Sequence, residues 1–332
     1  TVSQDHVREW SQAAFAASTL QLNRWLHVTA GIRYDHYDFG VTAGDPLNSG
    51  HVSDGIAQPK LTLVAGPFRH TELFLNLGKG FHSNDARGAT EAEVFNPRFA
   101  DNPAAGGSAT TPVAKDKPLV ATRGADLGLR SSLVPRLQFS QSFFVLDIDS
   151  ELTFNGDGGD TSPGDATRRY GSESALYWQP LQHLVIDADY AYSHARFRVP
   201  QTLPDGGTGF HIPEAATSVF AVGATYESPR GWFAAARLRY FGSRPLIGDN
   251  SVSSHATRLV NLAGGRRFGR QLKLGVQVIN ALNSKDHDID YYFASRLTPP
   301  GAPALDPAAG VSSIHFHPVE PLNVRAYLAY YY

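Results

Sequence analysis

Four polar side chains crowd into GKGFHSNDARG (Gly78 to Gly88): His82, Ser83, Asp85 and Arg87. An imidazole, a hydroxyl, a carboxylate and a guanidinium this close together could clasp a polar ligand. Short polar side chains where a strand ends also bond readily to local backbone, so anchoring of the following loop is the stronger expectation. His315 and His317 alternate in HFHP, and Asp286, Asp288 and Asp290 alternate in DHDID. Either set could project together toward a metal or metal chelate. Solvated loop ends are the stronger expectation for both sets, so no metal site is expected. GDGGDTSPGD (Gly156 to Asp165) lacks the spacing and closing Glu of a calcium loop. No Ser/His/Asp spacing, phosphate loop or nucleic-acid motif stands out, and the chain contains no Cys. Hydrolase chemistry therefore has little support, and neither an enzyme nor a cofactor is expected.

The elements that must position these residues show themselves in LHVTAGIRYD (Leu26 to Asp35). Leu26, Val28, Ala30, Ile32 and Tyr34 fall on one face of an extended chain, and His27, Thr29, Gly31, Arg33 and Asp35 on the other. LVIDADYAY, WFAAARLRY, LKLGVQV and LNVRAYLAY repeat the pattern. A soluble sandwich would turn the polar face to water, whereas a membrane barrel turns the apolar face to lipid and the polar face to its lumen. Strands longer than the usual globular five or six residues favour the barrel. So do aromatic residues gathered at strand ends (Tyr34, Tyr37, Trp178, Tyr190, Tyr192, Trp232, Tyr240), and full charges in mid-strand. The charges expected on the lumen side are Arg33, Asp35, Arg123, Asp126, Glu173, Asp187, Asp189, Arg237, Arg239 and Arg325. Mixed signs there can pair across strands and hold a plug.

Composition agrees. A mean hydropathy of -0.25 suits strands that are only half apolar, no apolar run is long enough for a spanning helix, and a net charge of -2 points to no nucleic-acid partner. Connections alternate in length. Short ones are expected at Leu20 to Arg24, Gly66 to His70, near Val134 and Pro135, Gln179 to Leu181, Ser228 to Gly231, and Phe268 to Gln271. Long ones are expected at Gly40 to Asp54, Phe81 to Lys117, around GDGGDTSPGD, Val199 to His211, Gly242 to His255, and Leu282 to Pro318. Short turns on one side and long loops on the other are the plan of an outer-membrane barrel, and the count is about thirteen strands. Bacterial barrels have even counts, and an open sheet in lipid leaves backbone groups unpaired at several kcal/mol each. The chain lacks Met, and its start has no leader-like pattern. A longer native protein is the expectation.

Gly78 to Gly88, preceded by QPKLTLVAGPFRHTELFLNL (Gln58 to Leu77), resembles the barrel of TonB-dependent outer-membrane receptors. SELTF, RRYGSESALYW, RLRYFGSRPLIGDNS, LVNLAGGRRF, VQVINALNSKDHDIDYYFASRL and HFHPVEPLNVRAYLAYYY resemble that family's C-terminal part in the same order. The resemblance covers residues 1–332 and implies an all-β, transmembrane, antiparallel up-and-down barrel, of whose twenty-two strands this chain holds about thirteen. It implies outer-membrane lipid around the barrel, a plug domain and the TonB complex as partners, neither within this sequence, and a ligand such as a ferric siderophore or cobalamin-like chelate. The rival readings are a passive porin, with the long segment at Phe81 to Lys117 as its constriction loop, and an outer-membrane hydrolase.

Overall fold

The computed structural model describes residues 4–95, 110–155, 160–203, 206–295 and 310–332. Thirteen strands follow one another in chain order through one antiparallel sheet: β1 (His6–Asn23), β2 (Leu26–Thr42), β3 (Gly50–Phe68), β4 (Thr71–Ser83), β5 (Leu119–Ser131), β6 (Leu137–Ile148), β7 (Thr167–Leu181), β8 (Leu184–Thr202), β9 (Ser218–Glu227), β10 (Trp232–Phe241), β11 (Thr257–Phe268), β12 (Leu272–Ile279) and β13 (Asn323–Tyr330). A fourteenth, Thr208–His211, adds to β8 outside this path. The expected strand number and order are what the sheet shows.

Register explains why these sequences make one sheet. Leu20, Val28, Leu63, Leu75, Leu127 and Phe143 stand opposite one another across β1 to β6. One residue along, Thr19, Thr29, Thr62, Asn76 and Asp126 form an equally continuous polar row. Its members are joined by Thr19–Thr29 at 3.0 Å, Thr62–Asn76 at 2.7 Å and Asn76–Asp126 at 3.0 Å. Across β7 to β11 the same contrast separates Leu176, Ala188, Val222, Leu238 and Val260 from Tyr177, Asp187, Gly223, Arg237 and Asn261. A slip of one residue in any ladder would put carboxylates among leucines, which fixes the register. Among the described residues no second protein layer covers the middle of the apolar rows: Phe143 is 61% exposed, Leu127 57% and Ile32 54%. A face this apolar and this open is built for something other than water.

The joins are sorted as expected. Residues 24–25, 69–70, 132–136, 182–183, 228–231 and 269–271 turn at one end of the sheet, and 43–49, 84–118, 149–166, 203–217, 242–256 and 280–322 at the other. The first of the long set is much shorter than the expected Gly40 to Asp54, because β2 and β3 continue pairing to Val41–Gly50. Alternation of Tyr37, Phe39 and Val41 with polar residues carries β2 that far. The last strand stops at Tyr330, leaving Tyr331 and Tyr332 outside it.

The buried core lies at the long-loop end, where the sheet doubles over itself. The β3–β4 ladder ends at Lys60–Gly78, next to Pro59, which has no N–H to give. Beyond that point, Phe39, Val41 and Ile56 pack with Leu119, Ala121 and Ala86. Tyr37 meets Phe81 edge-on at 5.7 Å. Leu119 and Ala121 alternate in step with Ala125 and Leu127 of the apolar face, whereas Phe39 alternates in step with Arg33 and Asp35 of the polar face. The β2–β3 and β4–β5 hairpins therefore overlap face to face here instead of continuing edge to edge.

Candidate functional site

Nine of the ten charges expected on one side of the wall share the polar face by register: Arg33, Asp35, Asp126, Glu173, Asp187, Asp189, Arg237, Arg239 and Arg325. Arg123 does not. Its ladder runs without a shift through Ala125 and Leu127, so it belongs to the apolar face near the loop end, where it pairs with Asp149 at 3.2 Å. The tally of charges in a strand misplaced it because Arg123 and Asp126 are an odd number apart and cannot share a face.

Four of these charges are joined in two pairs, Arg33–Asp35 and Arg237–Asp187, while Asp126 and Arg325 bond to other neighbours. Arg33 donates to both oxygens of Asp35 at 2.7 Å, and Gln58 donates to Asp35 at 2.5 Å across the ladder. Arg237 reaches Asp187 at 2.6 Å although β9 lies between their strands. The residue between them is Gly223, and a Cβ there would stand 2.7 Å from the Asp187 carboxylate and 2.8 Å from the Arg237 guanidinium. The absence of a side chain is what lets the pair close. Arg325 reaches Glu320 at 2.5 Å.

His82 and Ser83 end β4, and the next residues form α1 (Ala86–Thr90). Asp85 is the N-cap of α1, accepting from the Arg87 N–H at 2.8 Å and from the Arg87 guanidinium at 2.6 Å. The Arg87 hydrogen bond holds the Asp85 carboxyl below its ordinary range. This pair is therefore engaged in stopping the strand and starting the helix, as the anchoring reading expects. His82 is half-buried, and its Nε2 has no hydrogen-bond partner among the described residues. Thr90, buried, donates to the Asn48 carbonyl at 3.0 Å, while Asn48 accepts from the Ala92 and Glu93 N–H groups. These bonds tie the loop 43–49 to the loop that follows β4. Sequence reasoning missed α1 and this stitching, since the only cue was the Asp-Ala-Arg cap pattern.

Within 280–322, His287–Ser295 and Val311–Pro318 form a hairpin. His315 and His317 lie on it as alternate residues, with His317 exposed. His315 is stacked on Phe293 at 3.9 Å. The three aspartates do not line one face, because a bulge at His287/Ile289 interrupts the alternation. Asp286 accepts from the Arg258 N–H at 2.7 Å, and Asp290, 1% exposed, takes the His287 ring at 2.5 Å. His287 stacks on Phe316 at 3.7 Å. Arg244, buried, donates to the Asp288 carbonyl at 3.4 Å, and burial raises the nearby Glu214 carboxyl. The Thr257 hydroxyl donates to the His287 carbonyl at 2.6 Å. The result is a bonded block of three loops that sequence reading did not foresee, because the partners that join the loops lie 28 to 44 residues apart. Among the described residues no group of three or more His, Asp or Glu is arranged to hold a metal ion. Residues 156–159 of the glycine-rich candidate lie outside the described ones.

An apolar face left open along the sheet, a polar face with bonded side chains and loops sorted by end describe a membrane barrel wall. The family model "TonB dependent receptor-like, beta-barrel" matches residues 1–281. The chain belongs to that family. Solved structures agree with this receptor-barrel fold. The ferric-catecholate import receptor Fiu from K12 E. coli, in its closed form, superposes with a TM-score of 0.69 at 16% identity, over 98% of this chain and 45% of that one. The ferric yersiniabactin uptake receptor FyuA from Yersinia pestis gives 0.69 at 11% identity, over 99% and 47%. The copper transporter OprC gives 0.64 at 20% identity, over 84% and 43%. No curated protein sequence matches. The receptor barrel described here thus spans somewhat under half the length of its structural neighbours. Membership of this family is characteristic of the bacterial outer membrane, and its members are receptors and transporters. In a barrel wall of this kind the apolar face is the one turned to lipid.

Proposed function

We propose that this chain is the wall and loop-bearing portion of an outer-membrane receptor that takes up a scarce metal chelate, of the ferric siderophore or cobalamin type, with energy delivered through TonB. The continuous polar row from Thr19 to Asp126, bonded at three of its four strand-to-strand steps, carries this reading. A lumen lined by fixed, mutually paired groups suits a surface that grips a plug better than one that lets solutes slide. Arg33, Asp35, Asp126, Glu173, Asp187, Asp189, Arg237, Arg239 and Arg325 are the candidate plug contacts. The bonded loops bearing His82, Ser83, His315 and His317 are the candidate ligand-facing surface, with Asp85 and Arg87 shaping it. That the structural neighbours include ferric-catecholate and ferric yersiniabactin receptors supports the chelate class.

The test is uptake of iron-55 presented as a panel of chelates by cells carrying the whole receptor gene, with TonB present and deleted. Accumulation of one chelate that vanishes without TonB is expected. Equal accumulation in both strains, together with solute flux through receptor-bearing liposomes, would establish a passive pore instead.

A further inference from the structure

The six short turns carry a charge pattern that the long loops lack. Arg24, Arg69, Arg136, Arg230 and Arg270 occupy five of them and His183 the sixth, and none of the six contains Asp or Glu. The five arginines are exposed, and none pairs with a carboxylate among the described residues. The long loops are acidic by contrast, with Asp85, Glu91, Asp116, Asp286, Asp288 and Asp290.

An aromatic belt lies at the turns and at the strand ends next to them. Trp25, Trp178 and Trp232, three of the chain's four tryptophans, are 43%, 36% and 54% exposed. The Arg24 guanidinium lies 4.0 Å over the Trp25 ring. Arg266, on the apolar face opposite Trp232, sits 5.1 Å from that ring and 5.0 Å from Phe268. At least one cation of this rim is thus on the outer surface of the wall, beside rings that favour the membrane interface.

We propose that this rim is a docking surface for anionic phospholipid headgroups of the leaflet facing the short turns. The turn guanidiniums take the phosphodiesters, and the tryptophans seat at the level just above. A guanidinium matches a phosphate by shape as well as charge. Five of the six turns carry a single arginine each, and neighbouring hairpins lie about 10 Å apart across two strand widths. That spacing suits a row of small separate anions better than one acidic macromolecule. The proposal rests on the membrane-spanning reading of the sheet.

The test uses the whole receptor in vesicles, with every tryptophan other than Trp25, Trp178 and Trp232 replaced by Phe so that those remaining report on the short-turn rim. Fluorescence quenching is compared for brominated phosphatidylglycerol and brominated phosphatidylcholine in mixed bilayers. At low salt the anionic lipid should be enriched about fivefold per headgroup site, and the preference should shrink as salt rises. Replacing the five turn arginines with Gln should equalise the two lipids, and replacing them with Lys should keep the preference. Equal quenching in the parent, a preference that survives the Gln set, or a Lys set that behaves like it would each overturn the proposal. Loss of the preference on adding inorganic phosphate, against chloride of equal ionic strength, would show a free-anion site instead. Absence of quenching by either lipid would reject the membrane-spanning reading itself, an outcome distinct from the others.

Discussion

Gly223 shows how much one missing side chain can decide. Asp187 and Arg237 sit on strands separated by β9 and still meet at 2.6 Å, across a position where any Cβ would intrude. Gly223→Val should therefore sever the pair. Because both partners are half-exposed, the Coulombic loss itself is small, about 0.2–1 kcal/mol. The clearer readout is a double-mutant cycle with Asp187→Asn in the unfolding midpoint of the reconstituted receptor: the coupling between positions 187 and 237 should disappear in the Val background. Retained coupling would mean that the two groups interact by some other route. Asp85 offers a second case. As N-cap of α1 it satisfies an N–H that would otherwise be orphaned, so Asp85→Ala should cost about 1 kcal/mol of local stability, visible as faster amide exchange at Ala89 and Glu91 with the strands unchanged. Its lowered carboxyl gives the sign with pH. The stabilisation is present above the unfolded value of 3.8 and is lost as pH falls through the depressed folded value. Residue types announced the cap and the ion pair at Asp85–Arg87 only as a cluster. They could not say whether it faced a ligand or its own helix, because that depends on where the chain turns after Ser83.

Among elements, strands were legible and loops were not, for one physical reason. A strand with one apolar and one polar face repeats its two-sided chemistry every second residue, so the strands can be read from alternation and the spacing of the joins. Their up-and-down order came with the family resemblance. The loops hold their shape through long-range bonds such as Thr90 to Asn48 and Thr257 to His287, and no local periodicity encodes those. Arg123 marks the limit of the strand reading itself, since a charge in a strand reveals its face only when its parity is counted. The segment from α1 onward makes a pH prediction. Burial raises the Glu91 carboxyl, with Asp116 adding to the effect, and burial raises Asp116 as well. A carboxyl raised in the folded state binds its proton more tightly there, so stability falls as pH rises from the unfolded values (4.5 and 3.8) through the folded ones. Amide exchange at Asp116, whose N–H donates to the Gly88 carbonyl at 2.9 Å, should slow on acidification across that window. Glu91→Gln with Asp116→Asn should flatten the dependence; a slope unchanged in the double variant would assign it to other groups.

Across the whole molecule, every statement about lipid, lumen and ligand hangs on which end of the sheet faces which compartment, and the absence of Cys makes that directly measurable. Three leucines are more than half exposed at informative places: Leu47 at 65% in the loop after β2, Leu282 at 68% in the loop after β12, and Leu133 at 61% in the turn after β5. A fourth, Leu127 at 57%, stands in the apolar row in mid-wall. Each can become the chain's single thiol with little packing lost, because each side chain is mostly bare. In intact cells, a membrane-impermeant maleimide should label Leu47→Cys and Leu282→Cys and leave Leu133→Cys untouched until the outer membrane is permeabilised. Leu127→Cys should resist the polar reagent in both conditions yet react with a lipid-soluble maleimide, since hydrocarbon around it suppresses the thiolate that reacts. Labelling of Leu133→Cys alone in intact cells would invert the orientation and place the acidic loops, with their His315 and His317, in the periplasm. Equal labelling of all four would mean that the apolar rows meet water or protein, and the reading of the sheet as a membrane wall would fall with them.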